Sequence, residues 1–166
     1  MTSSPSEYAL PLMVPYVHEG LGFSIQVPES WHGQLFENAR IRLLGPEALD
    51  FAAYRPTMDI QAGVPLGQDA LWVSTFFEES GARMALTYPH FRLDREEHFP
   101  LGSGQLMHVR YYRWRNPQIE FELVQLQALL LQDAETLFLI NAATLQPLET
   151  AHMPIFDAVL RSFTLS

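Results

Sequence analysis

Four consecutive stretches, residues 91–99, 105–114, 121–132 and 135–145, read as strands joined by brief polar connectors. The connectors are Gly102-Ser103-Gly104, Arg115-Asn116-Pro117 and the short link at Gln132-Asp133. Turn-forming links of this kind join strands that run antiparallel to their neighbours, so the second half of the chain is expected to be a meander. The third stretch is apolar on both parities, which predicts a central strand covered on both sides.

The remaining periodicities fit around that sheet. Phe23, Ile25 and Val27 alternate with polar residues before Pro28 and Trp31, and are expected to point inward from the first strand. A short second strand is expected over 39–44, ending at Gly45-Pro46, and a weaker third over 51–61, interrupted by Pro56. Gly63-Val64-Pro65-Leu66-Gly67 then punctuates the chain. From Gln68 the spacing of Val73, Phe76, Phe77, Ser80 and Met84 is helical, with Asp69 in the first turn and Gly81 as a point where the helix weakens or ends. After Pro147-Leu148-Glu149-Thr150, the residues Ile155, Phe156, Val159, Leu160 and Phe163 form the stripe of a closing helix, in which Pro154 suits the first turn. The fold class expected is α+β, a mainly antiparallel sheet sandwiched by helices. At 166 residues one core suffices, and the organisation expected is a flexible segment over 1–15 followed by a single domain over 16–166.

Composition excludes several chemistries. All 10 basic residues are arginine, and there is no lysine and no cysteine. A Schiff-base or P-loop lysine, a cysteine nucleophile, a thiolate metal site and a disulfide are therefore ruled out. With 19 acidic residues the net charge is −9, which repels phosphate backbones and anionic lipid, so neither nucleic acid nor a membrane is an expected partner. No basic segment precedes the apolar run at residues 10–15, and the longest apolar runs fall well short of the roughly 20 residues that span a bilayer. A soluble cytoplasmic protein is expected.

No catalytic residue and no cofactor is assigned. Asp94, Glu96 and His98 alternate along one stretch and would share a strand face, which makes them the best metal-like set, although Arg92 on the same parity opposes it. His18, His32, His90, His108 and His152 are scattered, with no helical pair. Glu78-Glu79 and Glu96-Glu97 diverge from one another, and Ser103 lacks the spacing of a nucleophile loop. Arg110 and Arg113 face opposite ways and are expected on a solvated surface, with Glu120 and Glu122 as available partners. A different set could hold a polypeptide. Tyr112, Trp114, Gln125 and Gln127, if they share a sheet face, offer flat aromatic area together with amide donors and acceptors.

The opening strand with its Val27-Pro28 stop and Trp31, the order of elements, and the closing helix ending on Ser162-Phe163 together resemble the PsbP-like superfamily over residues 19–164. That superfamily includes a Ran-binding family, DcrB-related proteins and Eag-type secretion chaperones. The run Arg110-Tyr111-Tyr112-Arg113-Trp114 with Gln125-Leu126-Gln127 is similar to the central strands of the Eag-type branch. The resemblance implies a non-enzymatic accessory or binding protein that engages a polypeptide, such as an apolar segment of a secreted effector, in a chaperone-like or assembly role. The alternative is a small metal-dependent enzyme or metal-binding protein built on Asp94, Glu96 and His98. The oligomeric state is left open.

Overall fold

The computed structural model of the chain describes residues 10–65 and 72–166, with side chains in the first helix from Ser74 onward. Residues 1–9 of the expected N-terminal segment, Leu66 and Gly67 of the expected break, Gln68 and Asp69 at the expected helix start, and the side chain of Val73 lie outside the described residues.

Two antiparallel sheets and two helices make up the α+β fold. Strands β1 (Met13–His18), β2 (Phe23–Pro28) and β10 (Thr164–Leu165) form a small sheet in the order β1-β2-β10. The large sheet has seven strands in the order β3-β4-β5-β9-β8-β7-β6. Its members are β3 (His32–Phe36), β4 (Arg40–Leu44), β5 (Thr57–Pro65), β6 (Arg92–Pro100), β7 (Leu106–Trp114), β8 (Leu123–Leu131) and β9 (Thr136–Leu145). The expected meander is β6 to β9, each strand pairing with the next. Helix α1 (Trp72–Thr87) lies on one face of the large sheet, and α2 (Glu149–Arg161) lies with the small sheet on the other.

The core sits between the two sheets. Phe23, Ile25 and Val27 are buried along β2, and the Phe23 ring lies 5.0 Å from Phe163 and 5.5 Å from Phe138 of β9. Phe156, Val159 and Leu160 bury the inner stripe of α2, with Trp31 edge-on to Phe156 at 6.0 Å. Burying rings and branched aliphatics from two sheets and a helix in one layer supplies roughly 1.5 to 3 kcal/mol per side chain.

Several elements differ from the sequence expectation. Residues 13–15, expected in the N-terminal segment, form the first half of β1, where Pro15 is tolerated because β1 is an edge strand paired only with β2. Pro154 lies inside α2 and not in its first turn; its ring is solvent-facing. The helix α1 does not end at Gly81 but continues to Thr87. The third strand begins after Pro56 and runs on through Pro65, with a register shift between Gln61 and Val64 that Gly63 absorbs at φ 68°.

Candidate functional site

The face of the large sheet that carries α1 is only half covered, and its chemistry divides along the helix. Beneath α1, Arg110 of β7 is 1% exposed. Its Nε donates to Glu96 Oε1 at 3.0 Å, while Nη1 donates to Ser80 Oγ at 2.9 Å and to Gln127 Oε1 at 3.3 Å. Its Nη2 donates to the carbonyl of Phe77, whose ring lies 4.5 Å under the guanidinium. A Cβ on Gly81 would meet the guanidinium carbon at 3.2 Å, so the glycine lets the helix approach the buried cation. The expectation that Arg110 lies on a solvated surface is thus corrected. Strand parity gave its face, but the helix above that face was not visible in parity.

Arg113, on the opposite face, is held by Asp94 at 2.7 Å and by Glu149 of α2 at 3.0 Å, with Glu122 at 3.8 Å. Its hydrogen bond to Asp94 foremost, and then the one to Glu149, raise its already high pKa. The same geometry dissolves the metal-like set. A register shift between Leu93 and Arg95 makes Asp94 a bulge residue, which turns it toward Arg113 while Glu96 pairs across to Arg110 and His98 to His108. Among the described residues no group of three His, Asp or Glu side chains could hold a metal ion.

The four residues read as a binding set do share the α1 face, since β7 and β8 pair Tyr112 with Gln125 and Arg110 with Gln127. They are not equally accessible. Gln127 is 6% exposed beneath Ser80 and Arg110, and Tyr112 is 3% exposed, its phenol pushed above the usual range by burial. Trp114 and Gln125 are half-buried and bonded to each other, the indole Nε1 donating to Gln125 Oε1 at 2.9 Å. Tyr88, just past α1, stacks on Trp114 at 4.5 Å and on Tyr112 at 6.2 Å, and Phe91 adds a tilted contact to Tyr112. The sequence reading missed Tyr88; its position four residues after Met84, continuing the helical stripe, was the available signal.

Beside α1 the sheet is open. A hollow of about 180 Å³ is lined by Tyr88, Tyr112, Gln125, Asn141, Thr57 and Asp59, and another of about 300 Å³ runs along the helix flank past Arg83, Met84, Gln127 and Leu139. Asp59 is held in a fork by Arg42, at 2.8 and 3.0 Å. On the other side of α1 a cleft of about 580 Å³ holds His98 and His108, whose rings lie 6.0 Å apart. Burial first, and then His98, hold His108 below the ordinary histidine range. The open strip offers aromatic area, amides and one paired carboxylate. That combination suits hydrogen-bonded docking of a chain better than proton transfer.

No family model matches the chain, and no curated protein matches it. Solved structures do. The chain is similar to cyanobacterial PsbP (CyanoP) of Synechocystis sp. PCC 6803, with 15% identity over 99% of both chains and a TM-score of 0.63. It is similar to LpqN of Mycobacterium tuberculosis, involved in cell envelope biogenesis, with 13% identity over 93% of this chain and 91% of that one and a TM-score of 0.62. The Ran-binding protein Mog1p of Saccharomyces cerevisiae follows, with 10% identity over 93% of this chain and 96% of that one and a TM-score of 0.59. At these identities the likeness is one of fold, and the fold is PsbP-like. No helix among the described residues is long and apolar enough to cross a membrane.

Proposed function

We propose that the protein is a non-catalytic accessory protein that holds a polypeptide partner on the open strip of the large sheet beside α1. The observation that carries this reading is the half-covered face: the Trp114–Tyr88 stack borders a strip of Gln125, Asn141 and Thr57, while Tyr112 and Gln127 support it from below. An aromatic edge with adjacent amides provides a desolvation gain and fixes the register of an extended chain through hydrogen bonds. Among proteins of this fold, Mog1p is named for binding Ran, so the scaffold is compatible with protein recognition. A chaperone-like or assembly role toward an apolar segment of a secreted effector, as the Eag-type likeness implies, belongs to this same proposal.

The test is affinity capture on wild type and Trp114→Ala immobilised side by side, with the fold of each checked by its unfolding midpoint. A polypeptide retained reproducibly by wild type and lost from Trp114→Ala supports the strip as the docking surface. Equal retention by both, or no polypeptide retained above a bare matrix, removes it.

A further inference from the structure

The strip continues into a second, more apolar cleft at the end of the sheet. Gln125 lies opposite Ala143 and Leu123 opposite Leu145, so Leu145 extends the same face by one step beyond the strip. There it forms the floor of a cleft of about 520 Å³ between the loop of residues 45–56 and the hairpin of residues 115–122. Phe51 and Phe121 meet edge-on at 5.3 Å across the two loops, with Ile119 beside them.

Three features of this cleft point to an occupant. Its exposed rim carries Asp50 and Glu120, and among the described residues neither is in an ion pair, whereas the nearby Glu47 and Glu122 are matched by Arg55 and Arg113. Leu49, on the same loop, is 81% exposed. Ala52 and Ala53 both sit in the left-handed region, at φ 54° and 59°, a conformation unfavourable to any residue with a Cβ, so the loop that presents Phe51 and Asp50 is held under strain. An apolar floor under two unpaired carboxylates, in a chain of net charge −9, is complementary to an apolar side chain flanked by positive charge.

We infer that this cleft is a subsite for a cationic, apolar polypeptide segment, one that seats a leucine or aromatic side chain over Leu145 against the Phe51–Phe121 pair and places arginine or lysine against Asp50 and Glu120. The inference rests on the polypeptide-binding reading and names the chemistry of its partner.

The test selects phage-displayed random peptides of about twelve residues on the immobilised full chain, then titrates the enriched peptides against wild type, the double variant Asp50→Asn/Glu120→Gln, and Trp114→Ala. Both substitutions in the double variant are exposed and nearly isosteric, so the fold is retained. The expected result is enrichment of sequences pairing Arg or Lys with Leu, Phe or Trp, with affinity about tenfold weaker for the double variant and falling steeply with salt. Enrichment of acidic or uncharged peptides, or affinity for the double variant within about twofold of wild type, overturns the subsite. Peptides weakened only by Trp114→Ala overturn the cleft and leave the strip standing; peptides weakened only by the double variant overturn the strip and leave the cleft. No enrichment at all overturns both.

Discussion

Arg110 ties the first helix to the sheet, and its position explains two residues that the helical period alone would make unfavourable. Ser80 and Gly81 are poor helix formers, yet the serine accepts from the guanidinium and the glycine allows its approach. Replacing Arg110 with Ala opens a cavity and takes the charged donor away from the Phe77 carbonyl, Ser80 and Gln127, while half-exposed Glu96 turns to water, and each buried acceptor left short of a partner costs about 1 to 3 kcal/mol. Arg110→Ala is therefore expected to lower the unfolding free energy by about 3 kcal/mol or more in denaturant titration. A loss below about 1 kcal/mol would show that the network contributes little. At Ala52 and Ala53 the opposite sign is expected. Relieving a left-handed alanine with glycine should stabilise by about 0.5 to 1 kcal/mol per site, after the entropy that glycine adds to the unfolded chain. A destabilisation in either variant would contradict the strain.

Among the elements, those with strong apolar alternation were legible in the sequence, and those without it were not. The meander and the closing helix carry buried stripes, and the fit is close: Phe156, Val159, Leu160 and Phe163 all reach the core. β3 was missed because four of its five residues are exposed, leaving no alternation to read. β10 is two residues long, and β1 is an edge strand carrying a proline. The metal-like set failed through one bulge residue at Asp94, since parity arguments hold only while the register is unbroken. The binding set was legible as a shared face but not in its coverage, because α1 crosses from a distant part of the chain. Phe163, stacked on Phe23 and edge-on to Phe138, fastens the end of α2, and Phe163→Ala should cost about 3 to 5 kcal/mol in the same titration, a value below about 1 being the contrary result.

Two histidines on different elements couple stability to pH. His108 is held below its ordinary value of 6.5 by burial and then by His98; His152, which shares a 2.6 Å hydrogen bond with buried Thr144, is held below it by burial. The unfolded chain binds more protons than the folded one between the lowered values and 6.5, so stability is present above that range and declines as pH falls through it. Denaturation midpoints at about pH 7.5 and 5.5 should therefore fall on acidification, and fall less in His108→Gln and in His152→Gln. Unchanged slopes in both variants would contradict the assignment.

At the scale of the whole molecule, a large sheet is packed on one face by a second sheet and α2, and only partly roofed on the other by α1. The first arrangement uses the apolar parity of every central strand for stability. The second leaves Trp114, Gln125 and the polar strip of β5 and β9 at the surface, the strip proposed above for docking. The absence of lysine and cysteine, read directly from the chain, excludes the chemistries that depend on them. The most direct measurement is calorimetric titration of the polypeptide partner into wild type and into Trp114→Ala of unchanged unfolding midpoint. The account predicts a loss of about 2 kcal/mol or more, close to thirtyfold in Kd, as for an aromatic anchor at an interface. A Kd within about twofold of wild type would contradict it.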